Sequence, residues 1–207
     1  HAVIEAHLAD LLDALSAHFA EHAALLGTRM PLADCALLGP FYAHLYLDVL
    51  PGRLLRDRAP RVCQWIERRT HPDPTAPGDF PAGDALADTL RPVLALVGRD
   101  AVPLLLDTVR DFERWADARP PELEEPPRAV GFHETGFRGA RFQRYTSPYT
   151  LWMLQRTLNA YRALSDAERA RVDASLAGTG CEALLAYLPR HRMGKRRFKL
   201  CFESPAT

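Results

Sequence analysis

Net charge is absent from this chain. Its 26 Lys and Arg stand against 26 Asp and Glu, so the whole molecule is not marked as a binder of polyanions. Cysteine is sparse: Cys35, Cys63, Cys181 and Cys201 lie far apart and form no C-x-x-C pair. That removes the spacing of a zinc site or a disulfide framework and predicts reduced, buried thiols in a cytoplasmic protein. No window approaches the roughly eighteen uninterrupted apolar residues of a membrane span. No basic, apolar and cleavable leader opens the chain, which reads against a secreted precursor. G-x-S-x-G, the Walker loop and G-x-G-x-x-G are all missing, so neither a nucleophile elbow nor a phosphate-binding loop is signalled. What is present, 207 residues with 47% hydrophobic and 25% charged, is ordinary globular material able to bury a sizeable core.

Ile4, Leu8, Leu11, Leu12, Leu15, Phe19 and Leu26 recur at offsets of three and four, predicting an amphipathic helix over 3–26 with Gly27 past its end. Within it His18-Phe-Ala-Glu-His22 fits H-x-x-E-H. Two histidines at i and i+4 share a face and are able to hold zinc with Glu21 as base, but no later segment supplies a third ligand. The expectation is therefore no metal site and histidines at the solvent edge.

Residues 32–47 follow. Leu32, Cys35, Ala36, Leu37, Leu38, Phe41, Tyr42, Leu45 and Tyr46 cover nearly the whole circumference of a helix, the pattern of one buried on every side. Pro40 predicts a kink at Gly39-Pro40. A basic turn over 53–58 and a third helix from Ala59-Pro60, with Trp65 in the core, come next. Leu25-Leu26-Gly27, then Leu32-Ala33-Asp34, then the apolar run through Gly39 and His44, resemble the C-terminal domain of glutathione transferases. That family's segment reads approximately G-x-x-[ST]-x-A-D ahead of its central helix. APRVCQWIERR (59–69) is similar to the family's next helix. Further on, PYTLWMLQR (148–156) and SDAERARVD (165–173) resemble a bacterial branch with a long C-terminal extension.

The resemblance implies an all-α fold: a transferase C-terminal-like helical bundle (1–71), a linker (72–84), and an appended helical region (85–207) packing on the core, with one or two short β-hairpins. In the family the Ser or Thr and the Asp form a reciprocal capping box. Here Pro31 stands where the hydroxyl belongs, so Asp34 is expected as a structural cap acting from one side only. The resemblance also implies a homodimer. Glutathione would be the co-substrate, held mainly by an N-terminal thioredoxin-like domain that this sequence does not contain, so no catalytic residue carries over. The function it implies is the acceptor-substrate side of a protein that conjugates or reduces small electrophiles. The alternative is a non-catalytic binding or assembly module with the same fold.

Beyond the Pro- and Gly-rich stretch 71–84, two apolar stripes (86–97 and 102–115) predict an antiparallel helix pair joined near Gly98. Pro120 to Pro127 breaks the pattern, 128–146 predicts a short hairpin or an ordered loop, and 148–163 returns to helix. Ser165-Asp-Ala-Glu168 matches a capping box opening another helix, and the tail around Gly194-Lys195 suggests a second hairpin, able to pair with the first. Tyr149, Trp152 and Arg156 fall at i, i+3 and i+7, placing two aromatics and a cation on one face. With Gln155 beside them and Arg141 and Arg144 upstream, they are the expected binding residues for a small hydrophobic or anionic ligand such as a carboxylate. Arg190, Arg192, Lys195, Arg196, Arg197 and Lys199 are six cations in ten residues. The chain's neutrality and the lack of an aromatic-rich strand motif weigh against nucleic acid as their partner.

Overall fold

The computed structural model describes residues 2–71, 75 and 78–203. They form two compact units, the first reaching to Val93 and the second starting at Leu94. The expected linker lies partly outside the described residues, at 72–74 and 76–77. Its remainder is tied down: Asp79 O accepts from the amides of Thr28 (3.0 Å) and Arg29 (3.1 Å), and Ala82–Asp84 makes a 3-10 turn. The all-α expectation does not hold. The molecule is mixed, about 60% helical with 11% strand, and each of its two small sheets is an antiparallel pair.

In the first unit α1 (Ala2–Glu21) stops short of the predicted end, and Gly27, with φ +74°, belongs to the turn beyond it. The largest correction concerns the apolar stretch. It forms α2 (Leu32–Phe41), widening into a π-helical turn at Tyr42–Tyr46, and only Asp34 and Phe41 of α2 are buried. Leu32 is 84% exposed. An all-round apolar pattern states that a helix needs cover; it does not state that this unit provides it. The buried centre is instead α4 (Pro60–Thr70), whose Val62, Trp65 and Ile66 are fully inaccessible. Phe19 of α1 stacks on Trp65 at 4.9 Å and Phe41 meets it edge-on at 6.3 Å. The predicted basic turn is helical, α3 (Val49–Arg58). Pro51 sits in its first turn, where no amide donor is needed, and Arg58 forks onto Asp13 of α1 at 2.7 and 3.2 Å.

Asp34 is inaccessible, yet it does not cap α2: the N-cap position, Pro31, carries no side-chain cap. The carboxylate accepts from the Leu25 amide (3.0 Å) and the Trp65 indole (2.8 Å), with the Arg69 guanidinium 3.3 Å away. It thus joins the turn before α2 to α4. His18 is fully buried and not at the solvent edge. Its Nε2 lies 3.0 Å from Ala24 O and its Nδ1 2.9 Å from the Thr89 hydroxyl. Burial lowers its pKa below the usual histidine value, so the neutral ring donates from Nε2 to the carbonyl and accepts at Nδ1. His22 stacks on it at 4.8 Å. Among the described residues no three His, Cys, Asp or Glu gather as a metal site.

The second unit begins in α5 (Arg91–Leu96), which crosses the boundary, and continues through a π-helical turn at Val97–Ala101 into α6 (Val102–Asp117). The expected reversal at Gly98 is absent. Gly98 serves a close approach instead: a Cβ there would stand 2.0 Å from Thr179 O. β1 (Gly131–Phe137) and β2 (Ala140–Thr146) pair from Gly131↔Thr146 to Phe137↔Ala140. His133 and Thr135 turn inward, Phe132 and Glu134 outward, as the period of two requires. α7 (Pro148–Arg162), α8 (Asp166–Leu176) and α9 (Glu182–Leu185) follow. The Ser165–Glu168 capping box opens α8. Then β3 (Met193–Arg196) and β4 (Lys199–Phe202) pair with each other and not with the first hairpin, turning at Arg197-Phe198 rather than at Gly194-Lys195. The core of this unit joins Leu106, Val109 and Phe112 of α6 to Leu151, Leu154 and Leu158 of α7 and Met193 of β3.

Candidate functional site

The second unit contains a cleft of about 690 Å³ where three segments meet. Glu125, Pro126 and Arg128 come from the irregular stretch before β1, Ser147 to Tyr149 from the start of α7, and Phe198 to Leu200 from the second hairpin. Local chemistry fixes each wall. Thr146 ends β2, and Ser147, extended with ψ 128°, caps α7 by accepting from the Tyr149 amide. Pro148 occupies the first turn, where its missing amide costs nothing. The Ser147 hydroxyl also reaches the Arg128 carbonyl at 3.4 Å, and the Val130 amide donates to Thr146 O at 3.0 Å, so the Arg128 segment is held against the helix start.

The hairpin wall is positioned by Gln155. Its Oε1 accepts from the Met193 amide (2.9 Å) and its Nε2 donates to the Met193 carbonyl (3.4 Å). Gln155, expected as a ligand donor, is thus buried and fully engaged in holding β3 to α7. On the far side the Phe202 amide donates to Glu124 O at 2.9 Å, and Arg196 and Lys199 pair with Glu124 and Glu125 at 2.5 and 3.1 Å. The acidic breaker segment neutralises two of the six cations of the basic tail that the sequence shows as a bare charge run. Arg190 and Arg192 are likewise taken, by Glu113, Asp117 and Glu203.

Tyr149, Trp152 and Arg156 are brought together, but only Tyr149, half exposed, lines the cleft. Trp152 lies 5.4 Å from it and is partly buried, and the Arg156 guanidinium sits 5.1 Å from the Trp152 ring centre. The sequence reading missed the fourth member. Lys195, from the other hairpin strand, places its ammonium 4.0 Å from the Trp152 ring centre and 5.8 Å from that of Tyr149. Nothing in the spacing signals this, because the register of β3 against α7 is set by the Gln155 clamp. Arg141 is occupied by Glu134 at 3.0 Å.

Nucleophilic chemistry finds little footing. Burial pushes the Cys63 and Cys181 thiols up, keeping them protonated. Cys35, expected to be buried, is exposed. His133 lies beneath the first hairpin, 2.8 Å from the Thr146 hydroxyl, which in turn donates to Asp111 at 2.5 Å. His133 is 7% exposed, and the chain of bonds clamps β1 and β2 onto α6 with no room for a substrate. The cleft lining therefore offers Arg128, Tyr149 and Phe198 as groups able to bind an anion or a planar ring, alongside the Glu125 carboxylate, which is paired with Lys199. Comparison with known proteins returns no matching family model, no matching curated protein and no matching solved structure. No helix among the described residues is long and apolar enough to cross a membrane.

Proposed function

We propose that the chain is a binding module whose second unit holds a small anionic, partly aromatic ligand in the cleft at the start of α7. The observation that carries this is the juxtaposition of Arg128 and Tyr149 on the walls with the Lys195–Trp152–Arg156 stack beside them. A guanidinium next to an aromatic face offers charge and ring contact at once. The probe is an aromatic carboxylate, 2-naphthoate, titrated while tryptophan fluorescence is followed. Saturable binding that weakens at least about fivefold in Arg128→Ala supports the reading, this being the scale of one charge-assisted contact. No saturable binding by the parent protein refutes it.

A second reading keeps the transferase resemblance. The specific observation in its favour is the uncovered apolar surface of α2 and α3, with Leu32, Val49 and Leu50 each about four-fifths exposed. Exposed apolar side chains at both ends of the α2–π-turn segment are what a second protein surface would cover. On this reading the chain is the acceptor-side half of a glutathione-dependent enzyme, active only when a thioredoxin-like domain covers that face and holds glutathione. A longer protein carrying such a domain would be retained on immobilised glutathione, and Leu32→Asp with Leu50→Asp would weaken retention. A homodimer, which the resemblance also implies, would show instead as a halved apparent mass in the same double variant.

A further inference from the structure

The β3–β4 hairpin turns on two residues with positive φ, Arg197 at 49° and Phe198 at 67°. A two-residue turn with both central residues left-handed is normally built from Asn-Gly or a similar pair. A bulky aromatic in that conformation is strained. Packing does not offset the strain, since Phe198 is 100% exposed. Phe198 borders the same cleft as Tyr149, with its ring exposed to solvent.

The cations around it are of two kinds. Arg190, Arg192, Arg196 and Lys199 are neutralised by carboxylates. Arg128, Arg156, Lys195 and Arg197 have no carboxylate partner among the described residues. From α7 toward the hairpin, cation and ring alternate: Arg156, Trp152, Lys195, Tyr149, and then the cleft with Arg128 and Phe198. The zero net charge of the whole chain conceals an uneven division. The second unit has 18 Lys and Arg against 14 Asp and Glu, a net +4, and the first has 8 against 12, a net −4.

A single small carboxylate engages one cation and one ring and leaves the rest of this series idle. A ligand that alternates anions with planar faces uses all of it, and single-stranded nucleic acid has that composition: phosphates for the cations, unpaired bases for the rings. A duplex keeps its base faces stacked inside and fits less well. We infer that the cleft and the Arg197-Phe198 tip bind single-stranded nucleic acid, Phe198 and Tyr149 stacking on bases while Arg128, Arg156, Lys195 and Arg197 meet phosphates. The inference rests on the cleft being an anion site, as proposed above.

The test is fluorescence anisotropy of a short labelled oligothymidylate and of its oligouridylate counterpart with the whole protein. With four phosphates engaged, affinity is expected to fall about fifty-fold between about 50 and 200 mM salt. The decisive variant is Arg197→Asn with Phe198→Gly. It installs a turn pair that tolerates positive φ, so thermal stability stays level or rises while oligonucleotide affinity falls at least about tenfold, one stacked base and one phosphate contact being removed. Binding of 2-naphthoate should change less than about twofold, because Arg128 and Tyr149 remain. Unchanged oligonucleotide affinity in that variant, or affinity indifferent to salt, overturns the inference. Naphthoate binding without any oligonucleotide binding overturns it while leaving the anion site standing; failure of both probes removes both. Sedimentation with phosphatidylserine vesicles in the absence of oligonucleotide binding reassigns the tip to a membrane surface and also overturns it.

Discussion

Removing the carboxylate of Asp34 tests the organisation of the first unit most directly. In Asp34→Ala two donors lose their acceptor, the Leu25 amide and the Trp65 indole, and the Arg69 guanidinium loses its counter-charge. Asp34 itself is inaccessible and the Arg69 side chain is only 12% exposed, so water does not replace the lost partner. Deleting one member of a buried charged pair costs about 3–5 kcal/mol. The lower part of that range applies, since Arg69 also donates to Ala23 O at 2.7 Å and stays anchored. Asp34→Asn keeps one acceptor oxygen but turns an amide donor toward another donor, and about 2 kcal/mol is expected. The assay is urea unfolding followed by the indole resonances of Trp65, Trp115 and Trp152 in nitrogen–proton spectra. Trp65 is the only tryptophan of the first unit and reports it alone. Its indole resonance should move in both variants and its transition should shift to lower urea. If Asp34 acted as a cap of α2, the helix end would fray and the Trp65 indole would stay in place. A loss under about 1 kcal/mol with an unmoved Trp65 resonance would refute the bridging role, because surface changes seldom exceed that.

Two further outcomes are expected. Gly98→Ala should destabilise the second unit by more than about 2 kcal/mol in thermal or urea unfolding, because the added methyl meets the Thr179 and Gly180 backbone rather than a side chain that can move. The pH dependence of the first unit should follow His18, which burial holds below its ordinary pKa of 6.5 against the opposing hydrogen bond to Ala24 O. The unfolded chain takes up the proton first as pH falls, so stability is full above about 6.5 and declines below it, by at most about 1.4 kcal/mol per pH unit for one group. Replacing His18 by Gln should flatten that decline between pH 7.5 and 5.5 in urea midpoints followed at Trp65, and an unchanged slope would exclude His18 as its source.

The sequence by itself determined the elements whose signals are local. The Ser165–Glu168 capping box and the Pro148 first turn of α7 act within a few residues of chain, so their chemistry is complete in the one-dimensional record. The grouping of Tyr149, Trp152 and Arg156 is of the same kind, because helical spacing alone puts them on one face. Tertiary structure decided the rest. Whether the apolar run of α2 is covered depends on what the remainder of the chain packs against it, and it left Leu32 in solvent while Trp65 took the centre. Asp34 has the right spacing for a cap, but its partners are the Leu25 amide before the helix and Trp65 and Arg69 on α4. The second hairpin shows the same division: its cations are legible as a run, whereas which of them remain without a carboxylate is fixed by Glu124, Glu125, Glu113, Asp117 and Glu203 arriving from elsewhere. Lys195 comes to Trp152 because Gln155 sets the strand's register. Charge and ring are properties of residues; their pairing across the fold is a property of distance, and only the folded chain sets distance.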